Sequence, residues 1–243
     1  MKNTITLRSI FIPPLYLGFL LWTSSLFAAS QTEILNQGIN AYTHKNYQIA
    51  WSLLFPLAQQ GEREAQRLVG VMLRHGLGTT KNDIEALKWY KKAAQQGHMR
   101  AQNSLGVMYR FGLGVDKNTA QAIHWLTAAS EQGFAKSQEN LGLMYFEGDG
   151  IKQDDKKAVQ WFTAAAKQGQ IKSQLTLGML TLTGRGVDHD SAAGVEWLNK
   201  AAQGGSRNAA LALAKLYQEG LYGIEKDPNK AKIWYERAGI NYQ

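Results

Sequence analysis

The chain has 243 residues, contains no cysteine and carries a formal net charge of +8. The absence of cysteine excludes disulfide bonds, thiolate metal sites and cysteine nucleophiles, so stability has to come from packing. The moderately basic balance is compatible with an acidic protein partner or an anionic envelope surface, but no basic cluster interleaves with aromatic residues as in a nucleic-acid site.

The first 30 residues differ from the rest of the chain. Two basic residues precede an apolar stretch over residues 10–22, and small residues follow around Ala28. This order is typical of a secretory signal peptide, and we predict cleavage near Ala28 to Ser30. An uncleaved membrane anchor is the alternative, but prolines and a polar segment at 23–25 argue against it. We therefore predict a periplasmic or secreted protein of a Gram-negative bacterium that meets a membrane only transiently, through this segment.

A bulky aromatic residue returns at a fixed interval through the rest of the chain. The recurring tryptophans are Trp89, Trp125, Trp161, Trp197 and Trp234, spaced 36 residues apart with one extra residue before the last. A fixed period in this range indicates a solenoid of stacked repeats. We predict an all-α fold, an α/α solenoid (a right-handed superhelix) of about six helix-turn-helix repeats.

Each repeat is predicted to form two helices joined by a glycine-rich turn. In the repeat around Leu105, this residue and Tyr109 share one helical stripe, and Gly106 admits a second helix at short distance. Gly112 and Gly114 permit a turn with positive φ. The candidate caps of the second helices are Asn82, Asn118, Asp155, Asp190 and Asp227. The predicted domain covers 31–243, with repeats at about 31–61, 62–97, 98–133, 134–169, 170–205 and 206–243.

This pattern resembles the Sel-1-like repeat, a relative of the tetratricopeptide repeat, and the match is close over residues 101–133. The resemblance extends from residue 31 to about residue 239. The first repeat departs from it because it lacks the Gly-x-Gly turn, and the last has Ala214 where other repeats have glycine. Sel-1-like proteins are mainly scaffolds and adaptors, so the resemblance implies a non-catalytic protein that binds other proteins.

Two periodic features are interpreted as framework. The tryptophans lie beside alanines on the inner face of the second helices, so we expect them to pack in the core and not to stack on carbohydrate. Glutamine also recurs, at Gln66, Gln102, Gln138 and Gln174. Glutamine is common at this position in the resembled family, and we expect it to form hydrogen bonds between neighbouring repeats.

Residue patterns that carry chemistry are absent from the sequence. The five histidines are scattered, and neither a Gly-x-Ser-x-Gly motif nor a phosphate-binding loop occurs. His189 between Asp188 and Asp190 is interpreted as part of a solvated helix cap and not as a metal site. We predict no catalytic residue, no metal and no cofactor. A hydrolase acting on cell wall or β-lactams is an alternative suggested by cysteine-rich relatives, although no Ser-x-x-Lys motif is present.

A partner is expected to bind where the repeat leaves residues variable. On each first helix, the residues two, six and nine positions after the opening small residue share one face, and in related solenoids that face lines the concave surface. The predicted partner-binding groove consists of Arg67, Arg74, Asn103, Arg110, Glu139, Leu143, Phe146, Leu175, Met179 and Leu182. We expect a peptide segment of another protein, with acidic groups near Arg74 and Arg110 and apolar anchors on the later members. The alternative is that these side chains are buried between stacked repeats.

A structural role is the third hypothesis. Apolar groups near the end of the stack, such as Val195 or Trp234, could be partly exposed. End-to-end self-association in the cell envelope would then cover them.

Overall fold

The computed structural model describes residues 30–241 and, within them, twelve α-helices and no strand. The helices are α1 (30–43), α2 (Tyr47–Gln59), α3 (Arg63–His75), α4 (Asp83–Gln95), α5 (Met99–Phe111), α6 (Thr119–Glu131), α7 (Ala135–Glu147), α8 (Asp155–Lys167), α9 (Ile171–Thr183), α10 (Ser191–Gln203), α11 (Arg207–Glu219) and α12 (Pro228–Arg237). The chain divides after Asn82 into two compact units, which hold α1–α3 and α4–α12. The predicted all-α helical repeat fold is confirmed.

The predicted signal peptide lies outside the described residues, apart from its last position, Ser30. Among the helices of residues 30–241, none combines the length and apolarity needed to cross a membrane.

The helix ends follow the expected capping chemistry with one exception. Gly112, Gly148, Gly184 and Gly220 end α5, α7, α9 and α11 in the left-handed conformation, as predicted. Asn118, Asp190 and Asp227 cap the second helices through their side chains. The prediction of Asp155 as a cap is wrong: Asp154 accepts the backbone N–H of Lys157, and Asp155 is the first helical residue. The cap lies seven residues before each tryptophan, a register that Asp155 misses by one.

Glycine in the middle of the first helices lets the paired helix approach closely. A Cβ atom on Gly106, Gly142 or Gly178 would lie 2.7 Å, 2.7 Å and 2.9 Å from the side chains of Leu126, Phe162 and Leu198. Each of these large side chains is buried and follows its glycine by 20 residues. In the first unit, Gly38 on α1 stands in the same relation to Leu54 on α2, at 2.6 Å.

Three of the tryptophans are partly buried and pack against clusters that join their own repeat to the preceding one, so the prediction of core packing is met in part. Trp161 on α8 packs against a cluster of Leu126, Leu141 and Met144 from α6 and α7. Trp197 on α10 does the same with the cluster around Phe162. Trp234 packs against the terminal cluster that includes Leu198 and Leu213, together with Val195. Trp234 and Val195 are partly buried, and Ile233 on α12 is 49% exposed.

The glutamine series caps helix ends, and the predicted inter-repeat hydrogen bonds are confirmed. The side-chain Nε2 of Gln102, Gln138 and Gln174 donates to a backbone carbonyl near the end of the preceding second helix, at Ala94, Ser130 and Ala166. These distances are 3.1–3.2 Å. Gln66 makes the same bond to Ala58 inside the first unit. Each of these carbonyls also accepts the backbone N–H of the glycine three residues later. The glutamine therefore adds a second hydrogen bond there, which ties its own helix to the end of the preceding second helix.

In three of the turns, the second glycine brings the turn against the backbone of the preceding repeat. A Cβ on Gly114 would lie 2.5 Å from the backbone of Asp83 at the start of α4, and one on Gly186 would lie 2.4 Å from the carbonyl oxygen of Asp155 at the start of α8. Gly78 has the same relation to Tyr47 at the start of α2. These glycines therefore meet two requirements, a positive φ and a backbone contact that leaves no room for a side chain.

Because of this contact, we expect substitution by alanine to lower the free energy of unfolding by different amounts at two glycines that share a positive φ. Gly169 (φ 84°) has nothing within 4 Å of its Cβ position, whereas Gly186 (φ 74°) faces the α8 backbone. Gly169→Ala should lower the free energy of unfolding by about 1 kcal/mol through backbone strain alone. Gly186→Ala should cost about 3 kcal/mol, because the neighbouring repeat also has to move. Chemical unfolding followed by circular dichroism measures both, and equal losses would refute the contact.

Candidate partner-binding surface

The ten predicted groove residues lie on four first helices and differ in their surroundings. Arg67 and Arg74 lie on α3 in the first unit, and the other eight lie on α5, α7 and α9 in the second. On α3, the guanidinium of Arg67 forms two hydrogen bonds with the carboxylate of Glu64. Arg67 is therefore neutralised by its own helix, whereas Arg74 is half-buried and has no ion pair among the described residues.

Arg110 is buried by two carboxylates of the following repeat. Its Nη2 donates to Glu147 at 2.7 Å and its Nε donates to Asp149 at 2.8 Å. Lys117 donates to the other oxygen of Asp149 at 2.8 Å. The hydrogen bonds from Lys117 and Arg110 hold the pKa of Asp149 below its ordinary value. The prediction that Arg110 receives an acidic group of a partner is wrong, because carboxylates of the same chain already occupy it.

The positions two residues after the small residues Ala101 of α5 and Ser137 of α7 are also occupied from within the chain. The side-chain oxygen of Asn103 accepts hydrogen bonds from Ser137 at 3.1 Å and Asn140 at 2.9 Å, both on α7. Glu139, the corresponding residue of α7, is buried and forms an ion pair with Lys136 one turn earlier. Asn103 is thus an inter-repeat contact, and the buried Glu139 presents no free carboxylate to a partner.

Phe146 carries a cation on its ring. The guanidinium carbon of Arg185 lies 4.3 Å from the ring centroid, and Phe162 contacts the same ring edge-to-face at 6.3 Å. Arg185 also forms a two-bond pair with Asp155, at 2.7 Å and 2.9 Å. These hydrogen bonds lower the pKa of Asp155. Phe146 is half-buried, so the predicted apolar anchor is largely used to hold the turn of the next repeat.

The two contacts follow one rule that the sequence analysis missed. The residue between the two turn glycines contacts a residue 39 positions earlier in the sequence. That earlier residue lies near the end of the first helix of the preceding repeat. In one repeat the pair is Arg110 with Asp149, and in the next it is Phe146 with Arg185. The chemical complementarity of residues 39 apart is present in the sequence, but it links two different repeats, whereas helical periodicity compares only residues of one helix.

Leu182, the corresponding residue of α9, is a core residue. It is fully buried, belongs to the terminal cluster with Leu198 and Leu213, and would meet a Cβ on Gly194 at 2.5 Å. Its prediction as a groove residue is wrong, because the second helix of the same repeat covers it. Replacing Leu182 by a charged residue would therefore lower the stability of the core and would not report on a binding surface.

Three predicted residues are half-buried, apolar and without a polar partner. We call Leu143 on α7 together with Leu175 and Met179 on α9 the apolar stripe. Leu143 rests on the cluster around Phe162, and the other two rest on the terminal cluster. Each therefore has a buried base and an exposed edge, which is the arrangement that an interaction surface requires.

Within residues 30–241, no group of three or more acidic or histidine side chains is placed to hold a metal ion. His189 contacts the carbonyl of Leu182 through Nδ1 at 2.6 Å and the hydroxyl of Ser191 through Nε2 at 3.1 Å. Asp190 caps α10 through the backbone N–H of Ala193. These contacts agree with the interpretation of this segment as a helix cap.

The comparisons with known proteins agree with the repeat register. The Sel1 repeat model matches residues 63–98, 100–134, 135–170, 171–206 and 207–240. The segment before residue 63, which was predicted to depart from the pattern, lies outside these matches. No curated protein matches the chain significantly.

Two solved structures are similar to the chain in sequence and fold. A Sel1 repeat protein from Oxalobacter formigenes is 34% identical with a TM-score of 0.78, over 86% of each chain. The protein c5321, a protective antigen present in uropathogenic Escherichia coli strains with an SLR fold, is 31% identical with a TM-score of 0.82. That comparison covers 89% of this chain and 47% of c5321, so the chain spans about half of that protein.

The Arg110–Asp149 contact predicts a pH-dependent contribution to stability. The pKa of Asp149 is lower in the folded chain, so its contribution is fully present above the unfolded pKa near 4 and is lost as the pH falls through the folded pKa. Asp149→Asn should lower the free energy of unfolding by about 1–2 kcal/mol at pH 7, and this difference should shrink below about pH 4. Unfolding curves from neutral to acid pH measure it.

The control for this prediction is Asp116→Asn. Asp116 is exposed in the turn before α6 and has no ion pair among the described residues. It should change the free energy of unfolding by less than about 0.5 kcal/mol. A pH-independent loss in Asp149→Asn would show that the carboxylate charge is not what matters there.

Proposed function

The chain belongs to the Sel1 repeat family, whose members generally mediate protein–protein interactions. From this membership we propose that it is a non-catalytic adaptor, and from its first 30 residues we propose that it is exported. Its partner is another protein, bound along the first helices of the repeats. The observation that carries the proposal is the apolar stripe of Leu143, Leu175 and Met179, which keeps part of its surface in water although the neighbouring groove positions are buried or paired.

The apolar stripe supplies affinity in this proposal. Leucine and methionine side chains that are half-buried lose their remaining water-accessible surface when a partner covers them. Each Å² of apolar surface removed from water contributes roughly 25 cal/mol to the binding free energy. Methionine adapts to differently shaped partners because its side chain is unbranched and flexible. The buried base of each residue limits the side-chain entropy that binding costs.

Export is the second part of the proposal. It rests on the basic start, the apolar stretch and the small residues of the first 30 positions. A chain without cysteine needs no oxidising compartment to fold, so export and stability are independent here. The partner is then a protein of the periplasm or of the surroundings of the cell.

The binding surface is tested by introducing charge into the apolar stripe. Leu143→Glu with Met179→Glu should abolish the capture of the partner from envelope or host-cell extracts, because a carboxylate in an apolar interface is desolvated without a counterion. Ile233→Glu on α12 is the matched control, since Ile233 is half-exposed and apolar but lies outside the stripe. All variants are first compared by thermal unfolding.

We expect the wild type and the Ile233→Glu variant to capture the partner and the stripe variant to lose it. Equal capture by all three folded proteins would place binding elsewhere on the chain.

Export is tested by expressing the full chain in a Gram-negative host. We expect the protein in the periplasmic or extracellular fraction, with its first residue between Ala29 and Gln31 by intact mass and terminal sequencing. Charge placed in the apolar stretch, as in Leu17→Arg with Leu20→Arg, should retain the uncleaved chain inside the cell. An uncleaved wild-type chain in the membrane fraction would instead support the anchor alternative.

A further inference from the structure

The last glycine-rich turn contains one residue more than the turns before it. Leu221 and Tyr222 separate Gly220 from Gly223, where earlier turns have a single residue between their glycines. Tyr222 adopts φ of 53°, a left-handed conformation that is unusual for an aromatic residue. Its carbonyl accepts a hydrogen bond from Ser191 at the start of α10, which anchors the strained turn. Leu221 and Tyr222 remain 37% and 39% exposed.

The inserted turn forms one wall of a pocket. The pocket has a volume of about 360 Å³, and Met179 of α9 and Leu211 of α11 also line it. This volume lies near the lower end of the range for ligand-binding pockets. The pocket accepts a large apolar side chain, and Met179 makes it continuous with the apolar stripe.

The polar groups at this pocket are the ammonium of Lys215 and the neutral amide of Asn208, and no carboxylate lines it. Lys215 is exposed and has no ion pair or hydrogen bond among residues 30–241, in contrast to Arg110, which is neutralised. An apolar pocket beside one unpaired cation is complementary to an apolar side chain followed by a carboxylate.

We propose that this pocket binds an acidic-apolar peptide segment of the partner, with an aromatic or aliphatic side chain between Leu211 and Tyr222 and an aspartate or glutamate side chain on Lys215. The inference rests on the proposed function, because it names the partner chemistry for that adaptor. It places the acidic end of the partner at α11, whereas the sequence had suggested Arg74 and Arg110. The inserted residue makes the site specific to the last repeat.

The test uses a library of random peptides displayed on phage, selected against the purified chain and against Lys215→Glu. The wild type should enrich peptides that combine an apolar residue with a nearby aspartate or glutamate. Lys215→Glu should lose these sequences and enrich lysine or arginine instead. Lys232→Glu on α12 is the matched control, because it makes the same charge change at an exposed residue outside the pocket.

Synthetic versions of the enriched peptides then separate the sources of the negative charge. With an amidated C-terminus the peptide should still bind the wild type, and it should bind Lys215→Glu about tenfold more weakly. Replacing its acidic residue by the amide should cause a similar loss. Loss of binding on amidation alone would overturn the proposal in favour of a chain-end carboxylate.

The outcomes distinguish this inference from the function on which it rests. If the enriched peptides bind the Lys215→Glu variant as well as the wild type but do not bind the Leu143→Glu variant, the pocket proposal is wrong and the adaptor function stands. A folded wild-type chain that enriches no peptide would contradict both. The proposal is supported if Lys215→Glu changes the enriched peptides from acidic to basic and Lys232→Glu does not.

Discussion

The organisation of the second unit depends on a backbone contact between consecutive repeats. Gly114 and Gly186 each approach the start of a second helix in the preceding repeat so closely that a Cβ would lie 2.4–2.5 Å from its backbone. Because no side chain separates the two segments, the turn cannot slide along its neighbour. At these two junctions the distance between repeats is therefore set by backbone geometry, and the larger side chains fill the space that remains. The periodic tryptophans and glutamines act within that spacing.

The residue between the two glycines of a turn decides which surface residues are available to a partner. It lies over the end of the preceding first helix, where Asp149 meets Arg110 and Arg185 meets Phe146. These positions serve the fold through an ion pair in one repeat and a cation–π contact in the next. What remains for recognition is the part of each first helix that the turn does not reach, chiefly the apolar stripe on α7 and α9.

Much of the fold was predictable from sequence because its determinants recur, whereas the candidate site was predictable only in part. Gly106, Trp161 and Gln138 each have one role that a fixed period reveals, and the structure confirms those roles. Arg110 and Leu182 were assigned to a groove from their place on a single helix. Arg110 is covered by the next turn and Leu182 by its own second helix. A helical stripe identifies residues that share a face, but burial depends on what packs against that face.

In the proposed binding mode, stability and recognition are carried by different residues of the same helix. Ala209 and Leu213 of α11 are fully buried in the terminal cluster, whereas Lys215 on the same helix is exposed and contributes no ion pair within the described residues. Substitutions at an exposed position of this kind usually change stability by less than about 0.5 kcal/mol. Buried positions do not share this freedom, because interiors are close-packed and lose contacts when their volume changes. A repeat of this type can therefore exchange its exposed residues, and with them its partner, while the glycine contacts and buried clusters keep the helices in place.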